Sequence, residues 1–178
     1  AFSADMVIWP PFGVNLIVNK TNKRIKEQLK TVIENKVDFI ITSMGNPAEV
    51  INKCHEQGIK VFCDVVDLKI AKKVEQMGAD GLIAVNEQAG GHPGRLSASK
   101  LIPLLKENCS IPVISAGGIA THEQYKNILA LGADGVSIGT PFIASKESNV
   151  SENYKQAILN YKAKDIVSTT KMSGSALN

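Results

Sequence analysis

The chain has 178 residues, is 44% hydrophobic and carries a formal charge of +3. That fits one globular domain with a sizeable core and gives no electrostatic case for nucleic acid, because the lysines are spread along the chain. No apolar stretch approaches the roughly 18 residues of a membrane span, and the N-terminus lacks the regions of a signal peptide, so a cytoplasmic protein without a membrane partner is expected. Cys54, Cys63 and Cys109 lack metal-ligand spacing and two of them sit in or beside apolar runs. Neither a disulfide framework nor a metal site is expected.

In chain order, the first ten residues, AFSADMVIWP, add at most one irregular strand, and GVNLIV, Gly13 to Val18, is the first clear one. KVDFIITS, Lys36 to Ser43, follows after a segment long enough for a helix. Ala48 to Gln57 reads as a helix with Val50, Ile51 and Cys54 on its apolar side and Pro47 suited to its first turn. KVFCDVV, Lys60 to Val66, is again strand-like, and Leu68 to Met77 places Leu68, Ala71, Val74 and Met77 on one helical stripe. GADGLIAV, Gly78 to Val85, and GADGVSIG, Gly132 to Gly139, are near copies, with KVDFIITS a weaker third. Glycine at such points lets a chain leave a helix for a strand. IPVISA, Ile111 to Ala116, completes six apolar runs, a pattern that marks a parallel sheet with intervening helices. Ser151 to Asn178 opens with a helix carrying Tyr154, Ala157, Ile158 and Tyr161 and then leaves this rhythm. We divide the chain into a partial barrel, 1–145, and the start of a helical lid, 146–178.

Two glycine turns close strands: AGGHPG, Ala89 to Gly94, and AGGI, Ala116 to Ile119. Backbone without Cβ atoms admits a ligand closely, and the His92 imidazole between Gly91 and Pro93 can move a proton near neutral pH. His55, on a charged helix, and His122, at the helix start THEQ, read as solvated surface residues. An open dinucleotide-binding sheet should show GxGxxG after its first strand, and that fingerprint is absent. In a (β/α)8 TIM barrel the C-terminal strand ends carry the site, and the loops after the last two strands commonly hold phosphate. Here those two strands run into AGGI and GTPF, Gly139 to Phe142. The barrel is therefore the expected fold, with about six of its eight βα units present.

PFGVNL, ADGLIAV running into AGGHPG, IPVISAGGI and LGADGVSIGTPF together resemble the nitronate monooxygenase family, formerly the 2-nitropropane dioxygenases, and its relative the flavin-dependent enoyl-acyl carrier protein reductase. The resemblance runs from about Pro11 to Asn178. It implies an FMN-dependent barrel whose first two strands and Gly-Pro-Met flavin turn lie outside this chain, making the chain part of a longer polypeptide. Carried over by position, Asn15 contacts the flavin or substrate, while Gly90, Gly91, Gly117, Gly118, Ser137, Ile138, Gly139 and Thr140 surround the FMN phosphate and ribityl chain. Backbone N–H groups suit that task. His92 becomes the catalytic base. The family's Gln-Gly pair is replaced by Val85 and Asn86, its glutamate before AGGH by Gln88, and a common glutamine by Ser137. A valine cannot make a side-chain hydrogen bond to flavin, so Asn86 or Gln88 is expected to supply it. Lys171 and Ser173 of the TTKMSG segment receive no role.

The implied reaction is oxidation of an alkyl nitronate by FMN with O2 as electron acceptor, His92 deprotonating a neutral nitroalkane or donating a hydrogen bond to the nitronate. One alternative is an FMN-dependent enoyl-acyl carrier protein reductase fed by NAD(P)H. Another is a barrel that binds a small phosphorylated metabolite without flavin. The expected reactants are thus a small-molecule substrate with O2 or NAD(P)H, and a homodimer is the assembly to test for.

Overall fold

The computed structural model describes residues 11–171 and 177–178. The N-terminal ten residues and Ser173 lie outside these. Strand and helix alternate from β1 (Gly13–Ile17) through α1 (Ile25–Glu34), β2 (Phe39–Ser43), α2 (Ala48–His55), β3 (Lys60–Val65) and α3 (Leu68–Gln76). They continue with β4 (Gly81–Val85), α4 (Ala98–Asn108), β5 (Val113–Ala116), α5 (His122–Ala130) and β6 (Gly135–Ser137). The short α6 (Thr140–Ile143) and α7 (Glu152–Asn160) follow.

All six strands are parallel and stand in the order β1 to β6 without reversal. A doubly wound sheet reverses its strand order and carries helices on both faces. Here the order never reverses and the helices pack on one face only, so the sheet curls into part of a (β/α)8 barrel. On the helix side, Ile40, Val61, Cys63, Leu82, Ala84 and Val113 meet Val50, Ile51 and Cys54 of α2, Ala71 and Val74 of α3, and Leu101 and Leu105 of α4. Period-two alternation sends the next residues to the concave face, where Phe39 and Phe62 meet edge to face with centroids 5.7 Å apart. With Ile41, Ile83 and Ile114 they line a cavity of about 600 Å³.

The near-copied junctions share one device. The N–H groups of Phe12, Val61 and Val113 donate to Oδ2 of Asp38, Asp80 and Asp134 over 2.8, 2.7 and 2.7 Å. Each aspartate returns its own N–H to the carbonyl of the same residue, over 3.0, 2.8 and 2.8 Å. Each pair joins an even-numbered strand to the odd-numbered strand before it, adding one rung to the ladder just before the even strand begins. The sequence repeat is therefore a repeat of strand pairs. Lys106 pairs with Asp134 at 2.8 Å and His55 Nε2 lies 2.8 Å from Asp80 Oδ2, so this histidine braces a junction as well as meeting solvent.

The helices follow the apolar stripes. Val50, Ile51 and Cys54 are the buried residues of α2; Ala71 and Val74 are those of α3, which Asp67 caps by accepting the Ile70 N–H at 2.8 Å. Thr121 and Gln124 form a reciprocal capping box at the start of α5. All three cysteines are free, and burial pushes the Cys54 thiol up to about 11, which leaves it unreactive near neutral pH. In α7 the buried residue is Lys155, while Tyr154 is exposed. Among the described residues no helix is long and apolar enough to cross a membrane.

Candidate active site

The C-terminal strand ends gather most of the expected residues. The β4 loop brings Asn86, Gln88, Gly90, Gly91 and His92, the β5 loop Gly117 and Gly118, and the end of β6 Ser137 to Thr140. Neighbouring strands lie about 4.8 Å apart, so these three loops are adjacent. Asn15 stands three strands away on β1, on the concave face and exposed.

The glycines fall into two classes. A Cβ on Gly117 would lie 2.5 Å from Ala89 N and 2.6 Å from Asn86 Oδ1, and one on Gly118 would strike the Gln88 side chain. Both have positive φ, +112° and +71°. This pair lets the β4 loop lie directly on the β5 loop. At Gly90 and Gly139, by contrast, nothing lies within 4 Å of the Cβ position. No fold contact requires glycine there. Among the described residues the backbone N–H groups of Gly90, Gly91, Gly118, Gly139 and Thr140 donate to no protein acceptor. At Gly90, Gly91 and Gly139 these donors stand beside unfilled space, and backbone N–H groups of that kind suit an anion such as phosphate.

Asn86 is 1% exposed and engaged at both ends of its amide. Its Nδ2 donates to Gly117 O at 3.0 Å and its Oδ1 accepts the Gln88 N–H at 2.8 Å, which ties the two loops together. Gln88 is exposed and its side chain makes no hydrogen bond among the described residues. His92 is exposed, follows Gly91 with φ +76°, and precedes Pro93, whose ring disfavours helical backbone at His92. Ile138 packs beside Ile102, Ile119 and Ile128 behind the sheet, so what it offers a ligand is backbone.

Two groups escaped sequence reading. Asp64, the one carboxylate in the six strands, lies on the concave face with Ser43 Oγ 2.5 Å from its Oδ2; Ser43 Oγ is also 2.9 Å from Asn15 Oδ1. Burial, opposed by the Ser43 hydrogen bond, raises the Asp64 pKa above its ordinary 3.8. The available signal was a carboxylate inside an apolar strand run. The second is Asn178, whose amide donates to Glu87 O at 3.0 Å and Ala89 O at 3.1 Å while its N–H donates to Gly91 O at 3.0 Å. It clips the loop that presents His92.

The profile of the family described as nitronate monooxygenase matches residues 13–177. The chain belongs to that family. A probable nitronate monooxygenase of Staphylococcus saprophyticus is 36% identical over 171 residues, 89% of this chain and 48% of the relative. The nitronate monooxygenase of Paraburkholderia phytofirmans is 34% identical over 156 residues, 82% of this chain and 43% of its own. FabK from Thermotoga maritima superimposes with a TM-score of 0.87 at 37% identity, covering 94% of this chain and 53% of FabK. A nitroalkane oxidase of Streptomyces ansochromogenes, at 24% identity and a TM-score of 0.83 over 94% of this chain and 60% of its own, shares the fold. This family member thus spans about half the length of the curated relatives it matches.

Proposed function

We propose that the full polypeptide is an FMN-dependent oxidoreductase that oxidises alkyl nitronates or nitroalkanes with O2. The observation that carries this reading is the pairing of open glycine positions at Gly90 and Gly139 with free N–H groups, beside an exposed histidine at the same end of the sheet. Those N–H groups would hold the FMN phosphate without needing a charged side chain. Gln88, whose side chain makes no hydrogen bond among the described residues, would reach the cofactor where the family's glutamine is replaced by Val85. When bound, FMN supplies the two-electron chemistry. The protein supplies position and proton transfer. A nitrogen of the His92 imidazole accepts the proton from the carbon next to the nitro group, or donates a hydrogen bond to an oxygen of a nitronate already formed. Asn178 and Gly91 steady the loop around that imidazole, and residues 146–178 would serve as the start of the lid over it.

The test is an absorbance spectrum of the full polypeptide, release and mass identification of the bound flavin, and parallel assays. Oxygen uptake with nitronate is expected. Anaerobic bleaching of the flavin by NADH, followed by reduction of an enoyl thioester, would replace this reading with the reductase one. A colourless protein that takes up no added FMN would favour a phosphate-ligand barrel without flavin.

A further inference from the structure

Ser43 Oγ stands between two oxygens, Asp64 Oδ2 at 2.5 Å and Asn15 Oδ1 at 2.9 Å. A hydroxyl has one proton to donate, so three oxygens in a row need a second proton. Two arrangements supply it. In the first, Asp64 is protonated and donates to Ser43, Ser43 donates to Asn15 Oδ1, and Asn15 Nδ2 remains free to donate elsewhere. In the second, Asp64 is ionised and accepts from Ser43, and the Asn15 amide turns over so that Nδ2 donates to Ser43 and Oδ1 faces outward.

We propose that Asp64 is a positioning residue whose proton decides which end of the Asn15 amide, donor or acceptor, is offered to the ligand at the barrel mouth. The structure places Asn15 Oδ1 on Ser43, the heavy-atom placement of the first arrangement, and the proton on Asp64 follows from the donor count. The surroundings favour it, because burial raises the Asp64 pKa and no cation pairs with Asp64 among the described residues.

On the concave face β1 brings Asn15, β2 brings Phe39, Ile41 and Ser43, and β4 brings Ile83 and Val85, none of them charged, while Lys60 and Asp38 line the cavity at the opposite, N-terminal end of β3 and β2. Cys63 belongs to β3 and Asp80 accepts the Val61 N–H of that strand; the Cys63 thiol is buried on the helix side and is pushed up chiefly by that burial. Glu49, Lys53 and His55 of α2 and Lys69, Lys72, Lys73 and Glu75 of α3 belong to helices behind the opposite face. Around the mouth, Asp67 accepts the Ile70 N–H, and Lys20, Lys23, Glu87, His92 and Arg95 are exposed to solvent.

The consequence for binding rests on the proposed flavin reading and on the expectation that Asn15 contacts the flavin or the substrate. An acceptor atom of the ligand binds the donor form of Asn15, and by linkage its binding holds the proton on Asp64. In the full polypeptide labelled with 13Cγ-aspartate and 15N-asparagine, the Asp64 and Asn15 side-chain resonances are expected to titrate together, with a midpoint above 3.8. Asp64→Asn, which keeps a neutral donor beside Ser43, should make the Asn15 signal independent of pH. Ser43→Ala should leave Asp64 titrating while Asn15 no longer follows. An Asn15 signal unmoved through the Asp64 titration in the wild type, or one that still follows Asp64 in Ser43→Ala, overturns the proposal. FMN affinity should lose part of its pH dependence in Asp64→Asn, what is left being the titration of the FMN phosphate itself; identical pH profiles in the wild type and that variant also overturn the proposal. Failure to bind FMN at all would remove the flavin reading alone, since the coupled resonances decide the switch without it.

Discussion

Replacing Gly139 with alanine separates the proposed cradle from the fold. Nothing lies within 4 Å of the Cβ position and φ there is −123°, so the added methyl group meets no protein atom. Two small folding effects oppose each other. Loss of unfolded-chain freedom stabilises by about 0.4–1 kcal/mol, and loss of glycine at the start of α6 costs roughly as much. The net change should stay within about 0.5 kcal/mol, as at an ordinary surface site. Binding should respond very differently. Contacting heavy atoms sit about 3.5–4.0 Å apart, so a methyl group beside the free Gly139 and Thr140 N–H groups occupies space a phosphate oxygen needs. Loss of one charge-assisted hydrogen bond costs about 1.5–3 kcal/mol, which lowers FMN affinity roughly ten- to a hundredfold. Flavin fluorescence titration and urea unfolding of the full polypeptide measure both quantities. The control is Gly117→Ala, where φ is +112° and the new Cβ would lie 2.5 Å from Ala89 N; it should destabilise the fold by about 2 kcal/mol or more. Unchanged FMN affinity in a Gly139→Ala protein of wild-type stability would refute the cradle.

His92→Ala should abolish turnover of neutral nitroalkane while FMN stays bound, and steady-state assays that find no change would remove His92 from the reaction. Asp80→Ala leaves the buried Val61 N–H without its carboxylate partner and should lower stability by about 2 kcal/mol in urea; a loss under about 0.5 kcal/mol would show that the rung contributes little. The Asp134 pKa lies below its ordinary 3.8, first through the Lys106 hydrogen bond and then through the Val113 N–H. Its stabilisation is therefore complete above 3.8 and is lost as pH falls through the folded value. Asp134→Asn should flatten that acid limb of the stability profile. Ser115 Oγ is fully buried and has no hydrogen-bond partner among the described residues, so Ser115→Ala should raise stability by about 1 kcal/mol in the same urea assay.

Much of the architecture was legible along the chain because its signals are local. A helical stripe such as Leu68, Ala71, Val74 and Met77 and an apolar run such as GLIAV depend on residues a few positions apart. Glycine at Gly78 and Gly132 marks junctions for the same reason, and the order of AGGH, AGGI and GT carried the family resemblance. The site was only half legible. AGGH and AGGI look alike in sequence, yet Gly117 and Gly118 make room for a neighbouring loop while Gly90 faces open space.

What the sequence determined by itself is the alternation of parallel strands and helices, the family, and the loops that carry the candidate site. Only the tertiary structure decided which glycines are free to meet a ligand, that Asn86 is engaged at both ends of its amide, and that Asp64, Ser43 and Asn15 form one hydrogen-bonded row. The reason is the pairing of strands: Asn15, Ser43 and Asp64 lie 28 and 21 residues apart along the chain, and only the lateral pairing of β1, β2 and β3, in which Ser43 stands opposite Ile17, two residues beyond Asn15, brings their side chains within reach on one face. A periodic pattern reports which face a residue occupies, and the pairing of strands decides what it finds there.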